Sequence, residues 1–177
     1  MTDLHIITSL SNSELSTHIL CGIMANYLVK KGWFLAAAES CTGGLIAAAC
    51  TDLSGSSNWF ERGFVTYSNA AKTDMLGVDA GLINQHGAVS EAVARAMVQG
   101  AIRHSGAQVA VAVTGVAGPT GGTAAKPVGT VWFGFATPAG VVTETRRFDG
   151  DRAAVRQATV HHALVRLVAL LKEQAAS

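Results

Sequence analysis

Apolar positions along the chain recur at two spacings, one helical and one strand-like. From Ser13 to Lys31, Leu15, Ile19, Ile23, Leu28 and Val29 approximate one helical face. Ser13 can cap this helix, Lys30 and Lys31 sit in its last turn where they favour the dipole, and Gly32 ends it. Residues 33–39 are a short apolar run that reads as a buried strand, and residues 43–52 read as a second helix closed by Asp52 and Gly55. Small polar residues over 54–63 read as a loop with room for one helical turn. Phe64 to Ser68 is rich in β-formers and predicts a short second strand. Asn69 to Leu76 predicts a short helix with Lys72 in its first turn and Gly77 at its end. Residues 78–89 read as a connection with a tight turn at His86-Gly87.

Ser90 then caps an amphipathic helix, Glu91 to His104, with Val93, Ala94, Met97, Val98 and Ala101 inward. Val109 to Val113 is a continuous apolar run, expected of a strand covered on both faces. Gly129 to Thr137 and Val141 to Phe148 read as two strands joined by Pro138-Ala139-Gly140, a hairpin and therefore antiparallel. Residues 149–151 form a turn and cap, and Arg152 to Glu173 is the closing helix, with Val155, Ala158, Leu164, Val165, Val168 and Leu171 inward. Helices between the first strands imply right-handed parallel crossovers. The pattern predicts an α/β fold, a three-layer α/β/α sandwich with a mixed, mostly parallel five-stranded sheet. Residues 1–12 read as an N-terminal tail and 13–177 as a single domain, with no repeat or linker.

Composition narrows the function classes. Thirteen basic against twelve acidic residues leave a formal charge of +1, which gives no electrostatic footprint for nucleic acid or a membrane surface. Cys21, Cys41 and Cys50 are odd in number and lack metal-ligand spacing, which fits a reduced, cytoplasmic setting. The first residues do not read as a signal peptide, and no apolar run reaches the ~20 residues that span a bilayer.

The candidate chemistry centres on Ala36 to Gly44, where a strand meets a hydroxyl-bearing turn and then a helix start. Unpaired N–H groups at such a turn favour an anion or a developing oxyanion, so Ser40, Cys41 and Thr42 sit where a nucleophile is useful. The plainer alternative is that Ser40 or Thr42 caps the helix. Ligands of open α/β sheets gather beyond the carboxyl ends of the parallel strands. Three segments fall there: Ser40-Cys41-Thr42, Tyr67-Ser68-Asn69 with Lys72, and Thr114 to Gly122. With no histidine in them, the base available to Ser40 is Lys72, acting directly or through Tyr67, and an amine does this at neutral pH only if its pKa is lowered. Packing alone also accounts for Tyr67, and solvation for Lys72. Cys41 is a rival nucleophile, though a buried neutral cysteine is the simpler reading. His86 belongs to its turn, and His161 and His162 read as surface or interface residues. Arg152 and Arg156, in the first turns of the closing helix, can meet a phosphate. No His, Cys, Asp and Glu grouping has metal-ligand spacing.

Six segments in order carry a resemblance: Ala38 to Gly44, Gly63 to Asn69 followed by Lys72, His86 to Ser90, Thr114 to Pro119 with Gly121-Gly122, Lys126 to Val131, and Phe148 to Arg152. Over about residues 13–172 the chain resembles the CinA C-terminal domain family, in its stand-alone form of nicotinamide-nucleotide amidases. The resemblance implies the α/β/α fold and hydrolysis of the carboxamide of nicotinamide mononucleotide to nicotinate mononucleotide and ammonia, in pyridine nucleotide salvage. It implies no metal or organic cofactor, a homodimer, and a catalytic serine, tyrosine and lysine at Ser40, Tyr67 and Lys72. Substrate contacts are expected from Cys41, Thr42 and Gly43 as oxyanion donors, from Asn69, from Thr114, Gly115 and Gly118 around the nucleotide, and from Arg152 on the phosphate. Two other classes stay open at this point: a non-catalytic nucleotide-binding or partner domain, and a phosphoryl-processing enzyme, which needs a divalent metal and carboxylates that the rim segments largely lack.

Overall fold

The buried run Val109 to Val113 lies in the strand at the middle of the sheet, and the chain is laid out on both sides of it. A computed structural model describes residues 11–175. Helix α1 spans Thr17–Lys31, strand β1 Leu35–Glu39, helix α2 Leu45–Thr51 and strand β2 Phe60–Val65. Helices α3 (Asn69–Leu76), α4 (Ala80–His86) and α5 (Glu91–Arg103) follow. Strands β3 (Val109–Gly115), β4 (Thr130–Thr137) and β5 (Gly140–Arg147) and helix α6 (Arg152–Ala175) complete the domain. The strand order is β2-β1-β3-β4-β5. β1 pairs parallel with β2 and β3, whereas β4 runs antiparallel to both β3 and β5, so four of the five strands point one way. Glu39 is level with Val65 and with Val113, which aligns the carboxyl ends of β1, β2 and β3 at one rim.

The two faces of the sheet are built differently. Leu35, Ala37, Val109, Val111, Val113, Val131, Phe133 and Phe135 pack against α1, α2 and α6. The other face offers mainly Ala36, Ala38, Ala110, Ala112, Ala136 and Gly134, with Phe64 on the edge strand, towards α3, α4 and α5. A Cβ at Gly134 would stand 2.6 Å from the Ala94 carbonyl oxygen, so the α5 backbone rests almost on the strand. Gly100 serves the same closeness between helices, since a Cβ there would stand 2.2 Å from the Leu76 carbonyl oxygen at the end of α3. In an exposed helix, Gly→Ala stabilises by about 1 kcal/mol. Here overpacking outweighs that gain, and Gly100→Ala is expected to cost about 1–3 kcal/mol, measurable as a lowered urea midpoint at unchanged slope.

Several expectations shift by a few residues. β2 begins at Phe60 rather than Phe64 and ends at Val65 rather than Ser68. It is an edge strand whose Glu61 and Arg62 pair with each other, so its charges hide it from an apolar count. Helix α4 lies inside the expected 78–89 connection; capped by Asp79 and burying only Ile83, it leaves no periodic trace. Ser16 rather than Ser13 caps α1, and its buried face is Leu20, Cys21, Met24 and Leu28, while Ile19 and Val29 are exposed. His161 and His162 are half-buried: His161 meets the Leu15 carbonyl and His162 lies between Glu144 and the Phe133 ring. Of the expected tail, residues 1–10 lie outside the described residues. Asn12–Glu14 forms a short 3-10 turn, with the Lys172 ammonium 3.0 Å from Asn12 Oδ1.

Candidate active site

The turn after β1 is held by polar groups brought from three directions. The Ser40 N–H donates to the Val113 carbonyl (3.1 Å), extending the sheet by one residue, and the Gly43 N–H donates to the Ser40 carbonyl (3.1 Å), closing the turn. Gly43 (φ 59°) and Gly44 (φ 102°) occupy left-handed conformations that a side chain would strain. Glu39 is fully buried. Its carboxylate accepts from Thr42 Oγ1 (2.6 Å) and from the N–H groups of Gly44 (3.0 Å), Ile46 (3.0 Å) and Ala47 (2.8 Å). The start of α2 therefore carries its own anion, which satisfies the donors that a helix N-terminus ordinarily leaves open. Arg156 reaches in from α6, donating through Nε to the Cys41 carbonyl (3.2 Å) and through Nη2 to the Thr42 carbonyl (2.9 Å). The N–H groups of Cys41 and Thr42 donate to no other residue among the described residues.

Lys72 closes on this turn from the other side. The Thr66 N–H pairs with the Glu39 carbonyl (2.8 Å), and Ser68 caps α3 by accepting from the Ala71 N–H (3.0 Å). That start turns Lys72, in the first turn of α3, into the protein, where it is 1% exposed. Its Nζ lies 3.0 Å from Ser40 Oγ and donates to the Thr66 carbonyl (2.8 Å). Burial lowers its pKa below the ordinary lysine value, opposed by the neighbouring Cys41. Among the described residues no carboxylate forms an ion pair with it. An amine deprived of solvent and of a counter-ion, in hydrogen-bond reach of a serine hydroxyl, has the arrangement of a base beside a nucleophile. Cys41 does not compete on these terms. Its thiol is buried, and burial pushes its pKa up to about 11, the Glu39 charge acting in the same direction. At neutral pH it stays protonated.

The remaining expected residues divide between the mouth of the site and its frame. Tyr67 is 58% exposed, and its hydroxyl accepts from Arg152 Nη2 (2.6 Å). Arg152 Nη1 also donates to the Gly118 carbonyl (3.0 Å), so these three residues are joined at the rim. Neither Tyr67 nor Arg152 hydrogen-bonds to Ser40 or Lys72. Asn69 is exposed at the first position of α3. The side chains of Thr42 and Thr114 face inward; the Thr114 hydroxyl donates to the Ala88 carbonyl (2.8 Å) and anchors the connection before α5. Gly115 and Gly118 allow close approach, since a Cβ on them would stand 2.7 Å and 2.6 Å from side-chain carbons of Val131 and Val128. A hollow of ≈ 680 Å³ opens between Ala117, Pro119 and Val128 on one side and Arg152 and Arg156 on the other. A larger groove, ≈ 900 Å³, lies between α1, α2 and α6 and includes neither Ser40 nor Lys72. No group of three or more His, Cys, Asp or Glu placed to hold a metal ion stands among the described residues.

Glu39 is the residue that sequence reasoning passed over. The available signal was a carboxylate ending an otherwise apolar strand, directly before a small-residue helix start. The sequence marks Arg156 only as a phosphate candidate, because the 114–115-residue separation from its carbonyl partners leaves no local pattern.

Comparison with known proteins agrees with this architecture. A relative named nicotinamide-nucleotide amidohydrolase PncC from Enterobacter agglomerans is 57% identical over 145 residues, 81% of this chain and 88% of the relative. A protein of the same name from Pseudomonas putida is 60% identical over 133 residues, 75% of this chain and 83% of that one. The crystal structure of the competence/damage inducible protein CihA from Agrobacterium tumefaciens superposes with a TM-score of 0.82 at 46% identity, covering 87% of this chain and 94% of that one. The model of the CinA C-terminal domain matches residues 18–171. The chain belongs to the CinA C-terminal domain family.

Proposed function

We propose that this chain is an amidohydrolase that deamidates nicotinamide mononucleotide to nicotinate mononucleotide and ammonia, with Ser40 as the nucleophile and Lys72 as its base. The reaction is the one named for relatives up to 60% identical. The observation that carries the residue assignment is the 3.0 Å approach of a buried, solvent-deprived Lys72 amine to Ser40 Oγ. In its neutral form Lys72 accepts the Ser40 proton as Oγ attacks the carboxamide carbon. Its own donation to the Thr66 carbonyl fixes which way its lone pair points. The carbonyl oxygen becomes an oxyanion, for which the unpaired N–H groups of Cys41 and Thr42 are the available donors. Lys72 returns its proton to the departing nitrogen, the C–N bond breaks, and ammonia leaves an acyl-serine. Water then attacks this ester, giving its proton to Lys72, and collapse restores the Ser40 hydroxyl and releases the carboxylate.

Tyr67 and Arg152 take a different part on this reading. With its hydroxyl held by Arg152, Tyr67 positions substrate at the mouth rather than relaying the Ser40 proton. Arg152, Gly118 and the adjacent hollow form the side on which a nucleotide phosphate would lie, with Asn69, Gly43 and Gly115 proposed as further substrate contacts. The remaining proposals are a single amidase domain from residue 13 onward and a cytoplasmic homodimer using no cofactor, in which the three free cysteines stay reduced. No helix among the described residues is long and apolar enough to cross a membrane.

The test is ammonia release from nicotinamide mononucleotide, with and without a chelator. Turnover unaffected by chelation is the expected result. No turnover would return the site to a binding role, and turnover abolished by chelation would remove the metal-free serine route.

A further inference from the structure

The turn that carries Ser40 has more polar backbone groups than it can satisfy alone, and two side chains take nearly all of the surplus. Glu39 takes the N–H groups of Gly44, Ile46 and Ala47. Arg156 takes the carbonyls of Cys41 and Thr42. Across a trans peptide, a carbonyl and the N–H that follows it point in opposite directions. Because the Cys41 carbonyl faces the guanidinium, the Thr42 N–H faces away from it. Because the Ser40 carbonyl turns inward to the Gly43 N–H, the Cys41 N–H turns outward. The two donors left free thus belong to the two residues directly after the nucleophile.

We propose that Arg156 is a positioning residue for the transition state. By holding the Cys41 and Thr42 carbonyls it fixes the peptide planes that carry the Thr42 and Gly43 N–H groups. The Gly43 N–H in turn holds the Ser40 carbonyl, and with it the plane of the Cys41 N–H, so that the Cys41 and Thr42 N–H groups meet the oxyanion formed on the carboxamide. This rests on the amidase reading above and adds to it the residue that orients the donors. The guanidinium suits the task because its planar fork presents two N–H groups at fixed spacing to two acceptors, which a lysine ammonium does not. The guanidinium lies 3.6 Å from where a Cβ of Gly43 would stand, an ordinary contact, so it is the φ of 59° rather than lack of space that favours glycine there. The sequence also allows Arg156 a phosphate contact, since it borders the same hollow as Arg152. The two roles differ in kinetics. Oxyanion geometry is common to any carboxamide substrate, whereas a phosphate contact matters only when a phosphate is present.

The experiment compares wild type, Arg156→Met and Arg156→Lys on nicotinamide mononucleotide and on its dephosphorylated nucleoside, with nicotinate mononucleotide affinity measured by calorimetry. Arg156→Met is expected to lower kcat by roughly 10–100-fold on both substrates alike, less than the roughly 10²–10³-fold for outright loss of an oxyanion donor, because the donors are misaligned rather than removed. KM and product affinity should stay within about twofold, and Arg156→Lys should recover part of kcat. A loss confined to the phosphorylated substrate, or product binding weakened by about tenfold or more, overturns the proposal in favour of a phosphate contact. An unchanged kcat overturns it outright. If the methionine variant fails to fold by circular dichroism, the lysine variant carries the same comparison through its own kcat and product affinity. If wild type does not process the nucleoside, lowered kcat at unchanged product affinity still separates the roles. Absence of wild-type turnover on both substrates instead removes the amidase reading, and this inference with it.

Discussion

Ser40→Ala abolishes ammonia release, to below about one thousandth of the wild-type rate, while the melting temperature stays within a few degrees of wild type. The size follows from the chemistry: without Oγ there is no acyl intermediate, and only residual stabilisation by the oxyanion donors and by binding remains. The small stability effect follows from the local structure. Ser40 is anchored through its backbone N–H to Val113 and its carbonyl to Gly43, and alanine keeps both bonds. Among the described residues its hydroxyl hydrogen-bonds only to Lys72, whose donation to Thr66 survives. Cys41→Ala is the matching control. Its neutral, buried thiol plays no part in the proposed chemistry, so activity should remain within a few-fold of wild type. A variant at 40 with full activity, beside one at 41 with none, would transfer the nucleophile to sulfur. Peptide mapping by mass spectrometry after acid-quenching a reaction with substrate would add the position of the acyl group.

Replacing Lys72 with methionine has the second large effect, and it reads out in two ways. Loss of the base is expected to lower kcat/KM by roughly 10²–10⁴-fold and to remove the acid limb of the pH–rate profile. In wild type that limb rises as Lys72 loses its proton, at a pH below the ordinary lysine value because burial depresses its pKa. Stability moves in the opposite sense. A lysine whose pKa is lowered on folding binds fewer protons in the folded than in the unfolded chain. Its contribution is full above the unfolded lysine pKa and is lost as pH falls through the depressed folded value, where folding must retain a buried ammonium. Lys72→Met has no such loss, so the difference in melting temperature, variant minus wild type, should grow as pH is lowered from about 10 to 7. A difference independent of pH would mean that Lys72 titrates in the folded protein as it does in water. The packing prediction at Gly100 joins this site to the core. Leu76, against which Gly100 is pressed, lies one turn beyond Lys72 on the same buried face of α3.

Periodicity could find elements that bury a whole face. The all-apolar Val109 to Val113, the Ser90-capped α5 and the hairpin at Pro138 to Gly140 all lie where apolar spacing and turn chemistry place them. It could not find α4, which buries one residue, or the first half of β2, whose Glu61 and Arg62 neutralise each other at an open edge. Convergence of residues 40 and 72 was legible because parallel crossovers must deliver successive strand ends to one rim, and the contact spans 32 residues without any local signature. What topology could not supply was which polar atom meets which. The Tyr67 hydroxyl goes to Arg152, 85 residues away, instead of to Lys72, and the Thr114 hydroxyl goes to Ala88 instead of into the cleft. Such choices depend on side-chain reach over the last few ångströms, which apolar spacing does not encode.

The unequal faces of the sheet give the two sides different freedom to drift. On the α6 side, valine, leucine and phenylalanine can exchange volume with their neighbours, so a loss at one position can be made good at another. On the α5 side the buried positions of β1, β3 and β4 are almost all alanine and glycine, already at the small end of the alphabet, and nearly every replacement there can only add atoms. Variation among relatives should therefore pool on the aliphatic side, leaving the layer that carries Lys72 close to frozen.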